Sequence, residues 1–218
     1  MTDCFVVLGM HRSGTSLTAK MLHRMGVNMG DQLLAPNEFN PYGHWEDVNF
    51  FELNVEILGT AGGHWAVPPE EKAIVQAAHW LTHEIKWLLS WKATRHKRWG
   101  FKDPRTVLTV PVWDRWLQNP HYVIVRRDKE AVINSLERRA EKGGAGKDLG
   151  FTRNDWSGLY DEYDSRLREF LEENEQPAIG VEFEHFMSRS TAPKECARLA
   201  DFVGGNPRAA YQAIEFKE

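Results

Sequence analysis

The stretch that most limits what this chain can become is residues 4–16, CFVVLGMHRSGTS. Phe5, Val6 and Val7 run into Leu8 and Gly9, the pattern of a strand buried on both faces in a parallel sheet. Gly9-Met10-His11-Arg12-Ser13-Gly14-Thr15-Ser16 follows at once. From Thr15 the apolar spacing becomes helical, with Leu17, Met21, Leu22 and Met25 on one side and Gly26 as the stop. A strand that feeds a glycine-rich turn and then a helix aims several backbone N–H groups at one spot, and the helix dipole adds partial positive charge there. The predicted ligand is an anionic phosphate. Gly14 lets the backbone approach it, Thr15 and Ser16 offer hydroxyls, and Arg12 can reach over it to neutralise charge.

The rest of the chain alternates short apolar runs with longer amphipathic stretches. Residues 122–125 (YVIV) make a second buried strand, and 98–102 (RWGFK) and 178–182 (AIGVE) weaker ones, each short and carrying a glycine. Pro68 and Pro69 open a segment in which Ile74, Ala77, Ala78, Leu81, Ile85, Leu88 and Leu89 repeat with helical period to about Trp91. Asp128 is placed to cap a helix reaching about Ala140, with Ala131, Val132, Ser135, Leu136 and Arg139 on one broad face. Leu159, Tyr163, Leu167, Phe170 and Leu171 mark a further helix, and residues 193–202 a last one. The predicted fold class is α/β: a single domain over residues 1–218, with a central parallel β-sheet flanked by helices and a P-loop-like phosphate-binding loop after the first strand. Two segments resist a regular reading, residues 28–44 with Gly30, Pro36, Pro41 and Gly43, and residues 143–150 with four glycines. Long irregular segments in such a domain are where binding usually sits.

Composition removes several classes. Lys and Arg number 27 against 31 Asp and Glu, for a net charge of −4. Nucleic-acid binders are usually strongly basic, so no nucleic-acid partner is expected, and any bound anion has to be held by a local arrangement. The two cysteines, Cys4 and Cys196, are too few and too far apart for a metal quartet or a disulfide framework, which points to the cytosol. The first residues reach Gly9 and Arg12 before the apolar region of a signal peptide can form, and no run of about 20 apolar residues occurs. A soluble, cytoplasmic protein with no membrane partner is expected. The histidines are scattered and no metal is called for.

Residues 123–136, VIVRRDKEAVINSL, form a second constellation. A strand ends at Arg126 and Arg127, Asp128 caps the following helix, and Ser135 lies seven residues beyond the cap. Seven residues are two helical turns, so Ser135 projects from the face that begins beside Arg127, and the pair is placed to grip one phosphate.

The segment His11-Arg12-Ser13-Gly14-Thr15-Ser16 resembles the 5′-phosphosulfate loop of sulfotransferases that use 3′-phosphoadenosine-5′-phosphosulfate (PAPS), in which an Arg or Lys precedes Ser-Gly-Thr. Arg127 and Ser135, eight residues apart, match that family's arginine and serine for the donor's 3′-phosphate. Lys102, in Lys102-Asp103-Pro104-Arg105, matches a family lysine near the sulfuryl group, and Arg105 has a weaker match. The resemblance extends to Val181-Glu182-Phe183-Glu184 and the helix end at Gly204. It implies metal-free, in-line transfer of a sulfuryl group from PAPS to a hydroxylated small molecule or glycan. The donor contacts would come from His11, Arg12, Ser13, Gly14, Thr15, Ser16, Arg127 and Ser135, with Arg12 and Lys102 steadying the leaving phosphate.

Such a transfer needs a base for the acceptor hydroxyl. Cytosolic family members carry a histidine two residues after the lysine, where this chain has Pro104. Other members use a glutamate after the first helix. Asn40-Pro41-Tyr42-Gly43-His44-Trp45-Glu46-Asp47 resembles that segment and makes Glu46 the expected base, with Asp103 and His44 in reserve. Glu46 and Asp47 also suit a helix start. The acceptor wall is expected from residues 28–67, with Phe39, Tyr42, Trp45, Phe50, Phe51, His64 and Trp65, and residues 143–150 with Lys142, Lys147 and Arg153 are expected to close over the 3′-phosphate. Two other classes stay open. A Walker loop ends Gly-Lys-Ser/Thr, but Thr15 holds the lysine position, which disfavours a P-loop kinase or NTPase. A non-catalytic nucleotide-binding relative would keep the cradle without a working base.

Overall fold

A computed structural model describes residues 2–40 and 43–216. Along the chain run β1 (Asp3–Leu8), α1 (Thr15–Arg24), α2 (Val48–Thr60), α3 (Glu71–His79), α4 (Thr82–Arg95), β2 (Arg98–Lys102), α5 (Thr106–Asp114), β3 (Pro120–Arg126), α6 (Lys129–Glu141), α7 (Arg153–Glu173), β4 (Ala178–Glu182), α8 (Phe183–Met187), α9 (Ala192–Val203) and α10 (Pro207–Tyr211). The four strands form one parallel sheet in the order β2-β1-β3-β4, with Val6 opposite both Phe101 and Tyr122. This is the predicted α/β class.

Strand alternation splits the core in two. Cys4, Val6, Leu8, Trp99, Phe101, Tyr122 and Ile124 face one layer, which holds α2 through α7. Phe5, Val7, Val123, Val125 and Val181 face the other, built from α1, α9 and α10. Because β1 connects toward β2 while β3 connects toward β4, the chain reverses direction across the sheet between β1 and β3. In such sheets the crevice outside the carboxyl ends of those strands is where ligands bind. Gly9 sits at this edge, where an added Cβ would lie 2.6 Å from the Val125 carbonyl oxygen.

Three expectations need correcting. The single helix from Pro68 to Trp91 is two, α3 and α4, broken at Trp80 and Leu81, where the Thr82 hydroxyl donates to the His79 carbonyl at 2.9 Å and so takes up a carbonyl at the end of α3. His79 and His83, four apart in sequence, consequently sit on different helices. β4 is an edge strand in which only Val181 is buried, because no strand covers its far side. α5 has no counterpart in the sequence pattern: three valines, two threonines and Pro111 argue against a helix. Its burial on nearly every side supplies what propensity does not.

Asp31 and Asp47, near the two ends of the segment between α1 and α2, are tied together by a buried cation. Lys92 Nζ from α4 lies 2.6 Å from Asp31 Oδ2 and 2.5 Å from Asp47 Oδ2. Asp47 also caps α2, its other oxygen accepting from the Asn49 N–H at 3.0 Å. Asn28 bridges Trp99 of β2 and Leu33 bridges Asp47, which fixes the backbone just after Glu46.

Candidate active site

The turn after β1 is held by its own side chains. Ser13 Oγ donates to the Met10 carbonyl at 2.7 Å, and Arg12 adopts a left-handed backbone conformation with φ 70°. Gly14 has φ 97°, and a Cβ there would lie 2.2 Å from the Phe183 ring, so glycine is required for conformation and for space. Above this turn lies a cavity of about 570 Å³. His11, Arg12, Gly14, Thr15, Ser16, Glu46, Lys102 and Arg127 all border it; Ser13 and Ser135 do not.

At the end of β2 the cluster is compact. Lys102 Nζ lies 2.5 Å from Glu46 Oε1 and donates to Ser16 Oγ at 3.2 Å, and Ser16 Oγ donates to the His44 carbonyl at 3.0 Å. Lys102 is 1% exposed and its partner is nearly as buried, so each ion depends on the other for solvation. Asp47 takes the capping role, which leaves Glu46 free to turn inward. Trp45, immediately before it, has φ 57°, a strained value for a bulky residue.

Arg105 is not a surface residue. Its Nη1 lies 2.9 Å from Asp103 Oδ1 and 4.0 Å from Glu46 Oε2, and its guanidinium sits over the Phe51 ring at 4.6 Å. Burial pulls its proton affinity down, but Asp103 and Glu46 outweigh that and raise it. Asp103 is fully buried and takes hydrogen bonds from Asn54 and Arg105. Its carboxyl is raised by burial, against the pull of Arg105. It does not border the cavity, so it buttresses Arg105. His44 borders the cavity but is pushed below the ordinary histidine range, first by burial.

The second constellation is partly rearranged. Arg127 Nη1 donates to the Arg12 carbonyl at 2.7 Å, and its guanidinium lies over Phe183 at 4.6 Å. Ser135 does not share a ligand-facing surface with it. Its Oγ accepts from Arg12 Nε at 3.0 Å, so Ser135 and Arg127 both brace Arg12, one through the side chain and one through the backbone. Of the expected acceptor wall, Phe39, Trp45, Phe51 and Trp65 border the cavity. Phe50 is stacked on Phe101 in the core at 4.0 Å, and His64 Nδ1 accepts from the Ala66 N–H at 3.2 Å. Tyr42 lies outside the described residues. Lys142, Lys147 and Arg153 stay away from the cavity, Arg153 being engaged with Glu130 and Glu137.

Sequence reasoning missed Arg139 as a site residue. It borders the cavity from α6, with its guanidinium 5.2 Å from the Trp65 ring centre. The signal was its place one turn beyond Ser135 on the otherwise apolar face of that helix, where an arginine has to find a polar destination. Three buried nitrogens at the cavity have no hydrogen-bond partner among the described residues: His11 Nε2, Arg127 Nε and Arg139 Nη2. Buried polar nitrogens left unpaired are costly, and all three belong to residues that border the cavity, where a bound group can meet them. Among the described residues, no group of three or more His, Cys, Asp and Glu side chains could hold a metal ion.

The model of the sulfotransferase family matches residues 4–205, nearly the whole chain. The chain belongs to the sulfotransferase family. Solved structures agree on the fold of this sulfotransferase. The sulfotransferase domain from the curacin biosynthetic pathway superposes with a TM-score of 0.60 at 12% identity, over 100% of this chain and 79% of that one. The corresponding domain of the Synechococcus PCC 7002 olefin synthase gives 0.59 at 15%, over 99% and 78%. Sulfotransferase STF1 from Mycobacterium tuberculosis H37Rv gives 0.54 at 13%, over 100% and 72%. No curated protein matches the chain by sequence. Family membership makes sulfotransfer its general activity. No helix among the described residues is long and apolar enough to cross a membrane.

Proposed function

We propose that this sulfotransferase takes PAPS as donor and a hydroxyl as acceptor, with Glu46 as general base. The observation that carries the proposal is the buried Lys102–Glu46 pair, 2.5 Å apart, in the same cavity as the phosphate-binding turn. The cavity's charge fits a multiply anionic donor: Arg12, Lys20, Lys102, Arg105, Arg127 and Arg139 border it, against Glu46 and Glu215. When bound, PAPS supplies the sulfuryl group, so that the acceptor oxygen gains a bond to sulfur as the bond from sulfur to the 5′-phosphate oxygen breaks.

The chain's own residues supply the rest. The backbone N–H groups opening α1, with Thr15 and Ser16, hold the 5′-phosphate. Arg12 and Lys102 place positive charge on the leaving oxygen, the role that magnesium and the Walker lysine share in triphosphate enzymes. Arg127, with Nη1 anchored on the loop and Nε 3.9 Å from the exposed Glu184 carboxylate, takes the 3′-phosphate. Ser135 contributes by holding Arg12, and His11 lies where the loop meets Trp65, the two rings 4.5 Å apart. The proton leaving the acceptor hydroxyl goes to a Glu46 carboxylate oxygen.

Calorimetric titration tests the donor assignment. Adenosine 3′,5′-bisphosphate is expected to bind in EDTA, and ATP with magnesium to bind far more weakly. Labelled sulfate should then pass from PAPS to at least one member of a panel of phenols, alcohols, sugars and hydroxy acids. Tight, magnesium-dependent binding of the triphosphate would overturn the proposal in favour of a kinase-like reading. Bisphosphate binding without transfer to any panel member would favour the non-catalytic reading.

A further inference from the structure

The donor does not account for every charge in the chamber. Arg12 and Arg127 are linked to each other and to the turn, and Lys102 is paired with Glu46. Arg105 is held by Asp103. Among the described residues neither Arg12 nor Arg139 has a carboxylate partner, and of these two only Arg139 carries a buried nitrogen with no hydrogen bond. Its Nε donates to the Ala145 carbonyl at 3.0 Å, and its Nη2 has no partner among the described residues. Burial first, then the like charges of Arg12 and Arg105, push its proton affinity down to about 10, and it is still cationic at neutral pH. A half-buried guanidinium with one nitrogen shut off from both solvent and partner is costly unless an anion meets it.

Its surroundings set it apart from the Arg127 region. Arg127 lies over Phe183, while Arg139 lies over Trp65. Trp65 is itself fixed, its carbonyl accepting from the Tyr163 hydroxyl at 2.8 Å, and it carries the His11 ring on the same side chain. His11 is held well below the ordinary range by burial and then by Arg105 and Arg139, so it faces the chamber as a neutral imidazole with Nε2 unpaired. Arg139 and Glu46, the proposed base, border the same cavity, as does Trp65 between β1's turn and α7's Tyr163.

We infer that the acceptor is a hydroxy acid, its carboxylate seated on Arg139 Nη2 above Trp65 while its hydroxyl is presented to Glu46. The inference rests on the sulfotransfer reading and narrows its substrate class. A net charge of −4 argues against an anionic polymer spread over the surface, but the chamber has the opposite sign from the surface and would enclose a small anion. A planar carboxylate on a guanidinium edge gains both charge and direction, which an amide of the same shape does not.

The test uses the full chain saturated with adenosine 3′,5′-bisphosphate and titrated with matched probes: 4-hydroxybenzoate against 4-hydroxybenzamide, and 3-hydroxybutyrate against 3-hydroxybutyramide. In at least one pair the acid is expected to bind about 10- to 100-fold tighter than the amide, the value of one charged hydrogen bond. Arg139→Gln should erase that preference and leave bisphosphate affinity within about twofold, and Arg139→Lys should keep part of it. Amides that bind as well as acids in wild type, or acids that do not bind, overturn the inference without need of a variant. So does a tenfold loss of bisphosphate affinity in Arg139→Gln, which would assign this guanidinium to the donor. Failure of the wild-type chain to bind the bisphosphate at all would instead sink the sulfotransfer reading, and this inference with it.

Discussion

Replacing Glu46 with glutamine removes one negative charge and keeps the side chain's shape. Lys102 then stays buried, 1% exposed, against a neutral amide where a carboxylate had stood at 2.5 Å. At an effective dielectric constant of about 20, attraction at that distance is about 6–7 kcal/mol. Lost hydration of both ions offsets part of this, and breaking one side of a buried pair costs about 3–5 kcal/mol. The amide oxygen can still accept a hydrogen bond from Nζ, which puts the expected loss near the lower end, about 3 kcal/mol. For a chain of this size each kcal/mol lowers Tm by about 2–4 °C, so thermal melts of Glu46→Gln should fall by about 6–12 °C. Bound bisphosphate should recover part of that drop, since an anion near Lys102 replaces the lost partner. Labelled sulfate transfer should fall about 100-fold or more, because an amide cannot take the hydroxyl proton. Normal turnover in Glu46→Gln would refute the assignment of the base and pass the role to His44 or Asp103. An unchanged Tm would refute the energetic argument, showing that Lys102 finds solvation without Glu46.

Arg127→Ala should weaken bisphosphate binding by about 1.5–3 kcal/mol, read by calorimetry, through loss of one charged contact and of the anchor on the Arg12 carbonyl. Unchanged affinity would separate Arg127 from the donor. Lys92→Met leaves Asp47 fully buried without its cation and should lower stability by about 3–5 kcal/mol in denaturant melts. Because Asp47 adjoins Glu46, turnover should fall too, even though Lys92 touches no part of the cavity. His11 gives a pH signature. The unfolded chain protonates this histidine near its ordinary 6.5, and the folded chain, which holds it well lower, does not. Stability therefore falls as pH drops below about 6.5 and levels off once the folded value is passed, with a slope of up to about 1.4 kcal/mol per pH unit from this group. Urea melts between about pH 5 and 7 should show that slope flattened in His11→Gln, and an equal slope in both proteins would refute a buried neutral His11.

What was legible in the sequence follows from short-range rules. The turn from Gly9 to Ser16 could be read because a strand, a left-handed glycine and a helix opening are encoded within a dozen residues, and φ 97° at Gly14 is what such a turn demands. The Asp128 cap and the run to Ser135 were readable because capping and helical period act over two turns, and the Asp128 carboxylate does accept from the Ala131 N–H at 2.8 Å. α5 was not readable, since Val107, Val110 and Val112 owe their helical state to burial between layers that are distant in sequence.

The same division holds in the site. Local chemistry determined the shape of the turn that opens α1, with Gly14 at φ 97° and Ser13 Oγ on the Met10 carbonyl, because these contacts lie within a few residues of one another. Only the tertiary structure decided the other partners. It brought Glu46 and Lys102, 56 residues apart, into one ion pair, and it set Ser135 behind Arg12, 123 residues away. It also sent Arg139, an arginine on an apolar helix face, into the chamber over Trp65. Charges that meet across such separations are paired by how the layers pack and by what burial costs an unpaired ion, and neither quantity is written in local spacing.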